Sequence, residues 1–166
     1  WHLGSSPTGF DHWDILPDQG NYYNPDFIAE EGKYREEGYV TELITEKCLK
    51  WLTDAKDQKK PFMLMMHHKA PHREWQPGPH ELALYKNIAF PEPSTLFDDY
   101  SGRGTAEKDQ DMTIEKTMRL EEDLKLFGDK SKMKLTSLGR MNQEQINGWN
   151  QVYDPIIKHF YDSNLS

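Results

Sequence analysis

Phe62-Met63-Leu64-Met65-Met66-His67-His68-Lys69-Ala70-Pro71-His72-Arg73-Glu74-Trp75 is the stretch on which the reading of the fold turns. The apolar run 62–66 follows Pro61 and is too short to stand as a helix, so the pattern predicts a buried strand. The run then gives way to three histidines, a lysine and an arginine within seven residues. In open α/β sheets, ligands bind beyond the carboxyl ends of the strands, which is where this polar cluster falls. A buried strand that delivers proton-carrying side chains to its own end is the layout of a catalytic site.

Working outward, Val40, Leu43, Ile44, Cys48, Trp51 and Leu52 recur at helical spacing, with Thr41 placed to cap and Glu42 in the first turn. A helix over 40–55, a polar loop over 54–60 and a strand at 62 make an αβ unit of a layered sheet, and the expected fold class is α/β. Upstream, turn residues between aromatic flanks predict a surface hairpin within 22–39, closing at Gly38-Tyr39. Downstream, Pro77, Pro79, Pro91 and Pro93 mark a loop-rich passage in which only 80–85 reads as helical. Residues 105–127 are highly charged and read as one solvated helix stopped near Gly128, with no chemistry assigned. Asn142-Gln143-Glu144-Gln145 has the form of a capping box, and Ile146, Trp149, Val152, Tyr153, Ile156, Ile157 and Phe160 follow at helical spacing. Pro155 is expected to interrupt that helix, with Asp154-Pro155 as cap and first position of a restart.

The 166 residues are enough for one domain with a core, but with 36% hydrophobic and 29% charged residues the hydrophobic fraction is low for a self-contained globule. The net charge of −8, with both signs interspersed, argues against the concentrated basic face that nucleic acid requires. No apolar run approaches membrane length, so no membrane span is expected. The first residue is Trp1 and not Met, and both ends read as cuts in a longer protein. A single cysteine, Cys48, excludes an intrachain disulfide framework and a cysteine-based zinc site, and its place on the helical stripe makes it a core thiol.

Neighbouring His67 and His68 point to opposite sides of an extended segment, so one of them is expected to be structural. His72 lies in the loop behind Pro71, where an imidazole can protonate a leaving oxygen near neutral pH. Lys69 and Arg73 would neutralise an anionic group, and Trp75 offers a flat apolar surface for a sugar ring. From residue types alone, a zinc site at His67, His68 and His72, a purely structural role and a catalytic role all stay open.

Trp1-His2-Leu3-Gly4, Gly9-Phe10-Asp11-His12-Trp13, Gly38-Tyr39-Val40-Thr41-Glu42, Lys60-Pro61-Phe62-Met63-Leu64 and Ala70-Pro71-His72-Arg73-Glu74-Trp75 occur in this order. Together they resemble the formylglycine-dependent sulfatases, over residues 1 to about 100. The Lys69 to Arg73 loop and the later Pro-Glu-Pro-Ser-Thr-Leu-Phe-Asp-Asp-Tyr, at 91–100, are most similar to bacterial glycan sulfatases of the N-acetylglucosamine-6-sulfatase or mucin-desulfating type. The resemblance implies an alkaline-phosphatase-like α/β fold, with 1–100 in the catalytic domain and 101–166 its mainly helical, loop-rich continuation. It implies a formylglycine nucleophile beside Ca2+, a sulfated glycan (mucin or glycosaminoglycan) as substrate, and a periplasmic or extracellular setting. Carried over by motif position, His2 would contact the formylglycine and His72 would protonate the leaving oxygen or bind sulfate beside it. Lys69, Arg73, Trp75 and His68 would shape the sugar subsite.

The departures are equally specific. Cys48 is followed by Leu49-Lys50-Trp51 and not by the C-x-P/A-x-R from which formylglycine is made, and the family's calcium-binding aspartates have no counterpart. The expectation is an internal piece of a sulfatase that does not hydrolyse sulfate esters alone. The competing reading is a carbohydrate-binding or interaction module without catalysis, for which Trp13, Tyr22, Tyr23 and Trp75 would be the stacking platforms. A phosphoryl hydrolase of the same superfamily is the second enzymatic reading, and Trp-His-Leu-Gly favours sulfate over phosphate.

Overall fold

The computed structural model of the chain describes residues 6–56 and 59–163. The core forms where the aromatic residues around a small hairpin meet two long helices. Strand β1 (Asp26–Ala29) pairs antiparallel with β2 (Gly32–Arg35), with Ala29 opposite Gly32. The hairpin expected within 22–39 is therefore present. Phe27 is fully buried and stacks on Tyr34, with ring centroids 5.7 Å apart. Asp26 binds both Arg35 and Arg140 at 2.9 Å; burial works to raise its pKa, but the two guanidiniums hold it below the usual value.

Helix α1 (Val40–Ala55) has the limits that the spacing predicts. Its start differs: the N-cap is Tyr39, with no side-chain cap bond, so Thr41 is not the cap. The Val40 N–H instead donates to the Tyr22 carbonyl at 2.8 Å, so a contact with the incoming chain ties down the helix end that a side chain would otherwise cap. Cys48 is partly buried against the core, and burial raises its thiol pKa.

Two short helices follow the loop-rich passage, α2 (Thr105–Asp109) and α3 (Ile114–Thr117), and then α4 (Gln143–Asp162) closes the structure. The capping box at Asn142 is complete: its side chain accepts from the Gln145 N–H at 2.9 Å, and the Gln145 side chain accepts from the Asn142 N–H at 2.9 Å. Trp149 is buried, stacks on Tyr153 at 4.5 Å and meets Tyr23 edge-on at 6.3 Å. Asn24 joins the two ends of the sequence, exchanging amide hydrogen bonds with Gln145 and donating to the Arg140 carbonyl at 2.6 Å.

Four further expectations are corrected. Residues 62–66 form no strand and are largely exposed, Met63 at 69%. Among the described residues the sheet is the β1–β2 pair alone, so no described strand pairs with 62–66 and the αβ unit expected from α1 and this run is not formed among them. Phe62 packs on Trp51 of α1, centroids 5.2 Å apart. Residues 80–85 form hydrogen-bonded turns, not a helix. Pro155 does not interrupt α4, which runs unbroken to Asp162. Gln151, whose carbonyl loses its partner, is exposed, so water can replace the missing bond. Finally, 105–127 is not one helix, and its end is not solvated: Asp123, Lys125, Leu126 and Phe127 are buried.

Candidate active site

The loop 69–76 carries most of the residues singled out from the sequence, and the core holds it by its backbone. Three tyrosines point their hydroxyls at it: Tyr22 donates to the His72 carbonyl at 2.6 Å, Tyr39 to the Gln76 carbonyl at 2.8 Å and Tyr23 to the Pro77 carbonyl at 2.7 Å. Burial raises the pKa of all three, Tyr22 to about 12, so they stay protonated donors. Within the loop, the His72 N–H returns to the Lys69 carbonyl at 2.9 Å and the Trp75 N–H to the His72 carbonyl at 3.2 Å. Trp75 sits at φ 42°, a left-handed backbone that a bulky side chain adopts only under constraint.

A second set of contacts reaches the loop from beyond residue 116. Arg73 donates from Nε to Asp123 Oδ1 at 2.7 Å and from Nη2 to Oδ2, a two-pronged pair whose Asp123 side chain is fully buried. The Arg73 bond holds the Asp123 carboxyl below the ordinary carboxylate range. Arg73 Nη2 also donates to the Thr117 carbonyl at 3.1 Å. Lys125, 2% exposed, donates its ammonium to the carbonyls of Glu74 and Glu122. Burial pushes its pKa down to about 8, against the pull of Glu74, Asp123 and Glu122. The Ser137 hydroxyl donates to Glu74 Oε2 at 3.0 Å and accepts from Gln76 Nε2 at 2.5 Å.

The expected site residues are therefore placed as follows. Lys69, His72, Arg73 and Trp75 share one braced loop. His67 and His68 are both exposed on the unpaired segment that leads into it. His2 lies outside the described residues. His72 Nδ1 donates to the Arg73 carbonyl at 2.5 Å; a carbonyl can only accept, so the proton sits on Nδ1 and Nε2 is left for chemistry. Lys69 Nζ donates to the Gln19 carbonyl at 3.0 Å and lies 4.8 Å above the Tyr22 ring, with burial lowering its pKa. Among the described residues no three His, Cys, Asp or Glu side chains converge on a metal position. The zinc reading at His67, His68 and His72 thus has no geometry behind it.

Two hollows flank the loop. The smaller, about 150 Å³, is lined by Gly20, Tyr22, Lys69, Arg73, Glu74 and Ser137. The larger, about 460 Å³, is open and lined by Tyr22, Tyr39, Pro71, Trp75, Glu81 and Tyr153 among others. The smaller hollow thus presents Lys69 and the Asp123-paired Arg73 beside the Glu74 carboxylate, and the larger one presents mainly aromatic rings. Sequence reasoning missed Tyr39, Asp123, Lys125 and Ser137. It offered Tyr22 and Tyr23 as stacking platforms for a glycan, whereas both are buried at 1% exposure and present no ring face to a sugar. A buried phenol must find a hydrogen-bond partner, so three tyrosines around a predicted core were a usable signal. Asp123 and Lys125, set among Leu124, Leu126 and Phe127, were a fainter one.

No family model matches the chain. An N-acetylglucosamine-6-O-sulfatase of Bacteroides thetaiotaomicron is 45% identical over 99% of this chain. N-acetylglucosamine-6-sulfatases of Capra hircus and Bos taurus are each 30% identical over 54% of it. A solved structure of a protein in complex with its substrate D-glucosamine-2-N,6-O-disulfate superposes on the whole chain with a TM-score of 0.87 at 42% identity. The chain spans 31% of the bacterial relative's length and 35% of the solved chain. Along its whole length, in sequence and in fold alike, this chain is related to the sulfatases.

Proposed function

We propose that the chain is part of a sulfuric ester hydrolase that removes the 6-O-sulfate from N-acetylglucosamine units of sulfated glycans, on an alkaline-phosphatase-like fold. The observation that carries this is the 45% identity across 99% of the chain, with the loop 69–76 inside the matched region. The roles follow from the geometry around that loop. In its imidazolium form His72 carries a proton on Nε2 while Nδ1 stays bonded to the Arg73 carbonyl. As the sulfur–oxygen bond breaks, that Nε2 proton passes to the departing sugar oxygen, leaving neutral imidazole. Lys69 supplies positive charge beside the smaller hollow, where the sulfate would lie, and Arg73 lines the same hollow while its guanidinium is paired with Asp123. Trp75, 46% exposed at the larger hollow, would cover the sugar face, with His68 at the approach. His2 is proposed to act at the nucleophile by motif position alone.

The formylglycine and the Ca2+ that the family implies do not fit residues of this chain. Cys48 is half-buried on α1 in the wrong motif, and no acidic cluster converges among the described residues. No step is routed through either group, and the isolated chain is proposed to be catalytically incomplete. A mucin or glycosaminoglycan substrate and a periplasmic or extracellular setting belong to the same proposal. The exposed Trp75 beside an aromatic-lined hollow equally favours sugar binding without turnover, which is the second reading. Sulfate release by the full-length gene product decides between them. It is expected from N-acetylglucosamine 6-sulfate, at least about tenfold faster than from the 3-sulfate, a factor worth about 1.4 kcal/mol of transition-state discrimination. Binding of the 6-sulfate with no release would favour the second reading, and equal rates on both isomers would contradict the assignment of the 6-position.

A further inference from the structure

We infer that Asp123 and Lys125 are positioning residues for the proposed reaction: they fix the loop 69–76 from outside, so that the His72 imidazole stands where a leaving oxygen can take its proton. The inference rests on the reading of that loop as part of a sulfatase site. Four observations lead to it. Asp123 is fully buried in its side chain and is bound in two-pronged fashion by Arg73, the residue next to His72. The same Asp123 accepts the Arg119 N–H at 2.9 Å, so its carboxylate is itself fixed on both sides. Lys125, almost fully buried, puts its ammonium on the Glu74 carbonyl, one peptide further along. Both Trp75 and Lys125 hold positive φ, 42° and 64°, so each strand of the brace carries a constrained backbone.

Asp123 and Lys125 are buried beneath the loop, their charged ends spent on Arg73 and on the Glu74 and Glu122 carbonyls, so neither is assigned to touch substrate. Their reach is through the peptide frame. The His72 ring leans by Nδ1 on the Arg73 carbonyl, and Arg73 is the residue that Asp123 grips. Lost on the Asp123 side, that grip frees the Arg73–Glu74 peptide and with it the ring's hydrogen-bond partner. Displacing a catalytic group by about 1 Å costs on the order of a hundredfold in rate.

The test uses the full-length gene product and two substrates that differ in leaving group. N-Acetylglucosamine 6-sulfate expels a sugar alkoxide that needs a proton, whereas 4-nitrophenyl sulfate expels a stable phenoxide that does not. Asp123→Asn and Lys125→Met are each expected to lower kcat on the sugar sulfate by about 10- to 100-fold. On the aryl sulfate each is expected to cost less than about threefold in kcat, with KM little changed for Lys125→Met. Asp123→Asn also unpairs Arg73 beside the sulfate position, so its KM is expected to shift alike on both substrates. If Asp123→Asn does not fold, Lys125→Met decides. A variant that merely loosened the structure would slow both substrates alike, and that result, or no slowing at all, overturns the inference. His72→Ala is the reference: leaving-group-selective loss there with none in the two brace variants overturns the inference and leaves the reading of the loop intact. Non-selective or absent loss in His72→Ala overturns that reading, as does a gene product that turns over neither substrate.

Discussion

Lys125 shows how far one residue departs from its sequence context. It sits in a run of acids and lysines that reads as solvent-facing, yet burial brings its pKa down to about 8. An unfolded lysine titrates near its usual value of about 10.4, so above pH 8 the folded chain binds fewer protons than the unfolded one. Stability therefore rises with pH, by about 1 kcal/mol from pH 8 to 9 for this one group. Opposing this, burial raises the pKa of Cys48 and of the loop-binding tyrosines, so ionisation in the unfolded chain lowers stability from about pH 8 upward for the thiol and from about pH 9 upward for the phenols. Urea unfolding of the purified chain at pH 8.0 and 9.0 is expected to show this rise, and Lys125→Met is expected to flatten it. Wild-type and Lys125→Met midpoints that change in parallel across that interval would mean that Lys125 keeps an ordinary ammonium.

At the level of elements, legibility followed locality. The β1–β2 hairpin, α1 and α4 were readable because their signals lie within a few residues: turn chemistry, a 3.6-residue apolar stripe, and a capping box in four consecutive positions. Residues 62–66 and 105–127 were misread because what decides them is remote. The first has the composition of a buried strand but no described strand beside it, and the second meets its partners about 50 residues away in Arg73 and Glu74. The exposed 62–66 run has a consequence for the chain in solution. An unpaired apolar segment is a template for association, so Met63→Lys with Met65→Lys, at positions 69% and 53% exposed, should reduce self-association. The unfolding midpoint should stay within about 0.5 kcal/mol of wild type, as for other surface changes. Sedimentation of the two chains checks the first expectation and urea unfolding the second. Unchanged association would place the sticky surface elsewhere, with Phe97 at 88% exposed as the next candidate.

For the molecule as a whole, the crowding of chemistry-bearing residues was readable where the architecture around them was not. His72, Lys69, Arg73 and Trp75 were singled out as a cluster because chemistry-bearing side chains crowd a few consecutive residues, and the structure gathers them in one braced loop. The brace was not readable, since phenols, a carboxylate and an ammonium drawn from positions 22 to 125 converge only after folding. What the chain does with that loop comes down to whether His72 moves a proton. Sulfate release from N-acetylglucosamine 6-sulfate by the full-length gene product, wild type beside His72→Ala at matched folding, measures this most directly. The variant should lose at least about a hundredfold in kcat, the usual scale for removing a general acid. A His72→Ala protein that releases sulfate at the wild-type rate would take this loop out of the reaction.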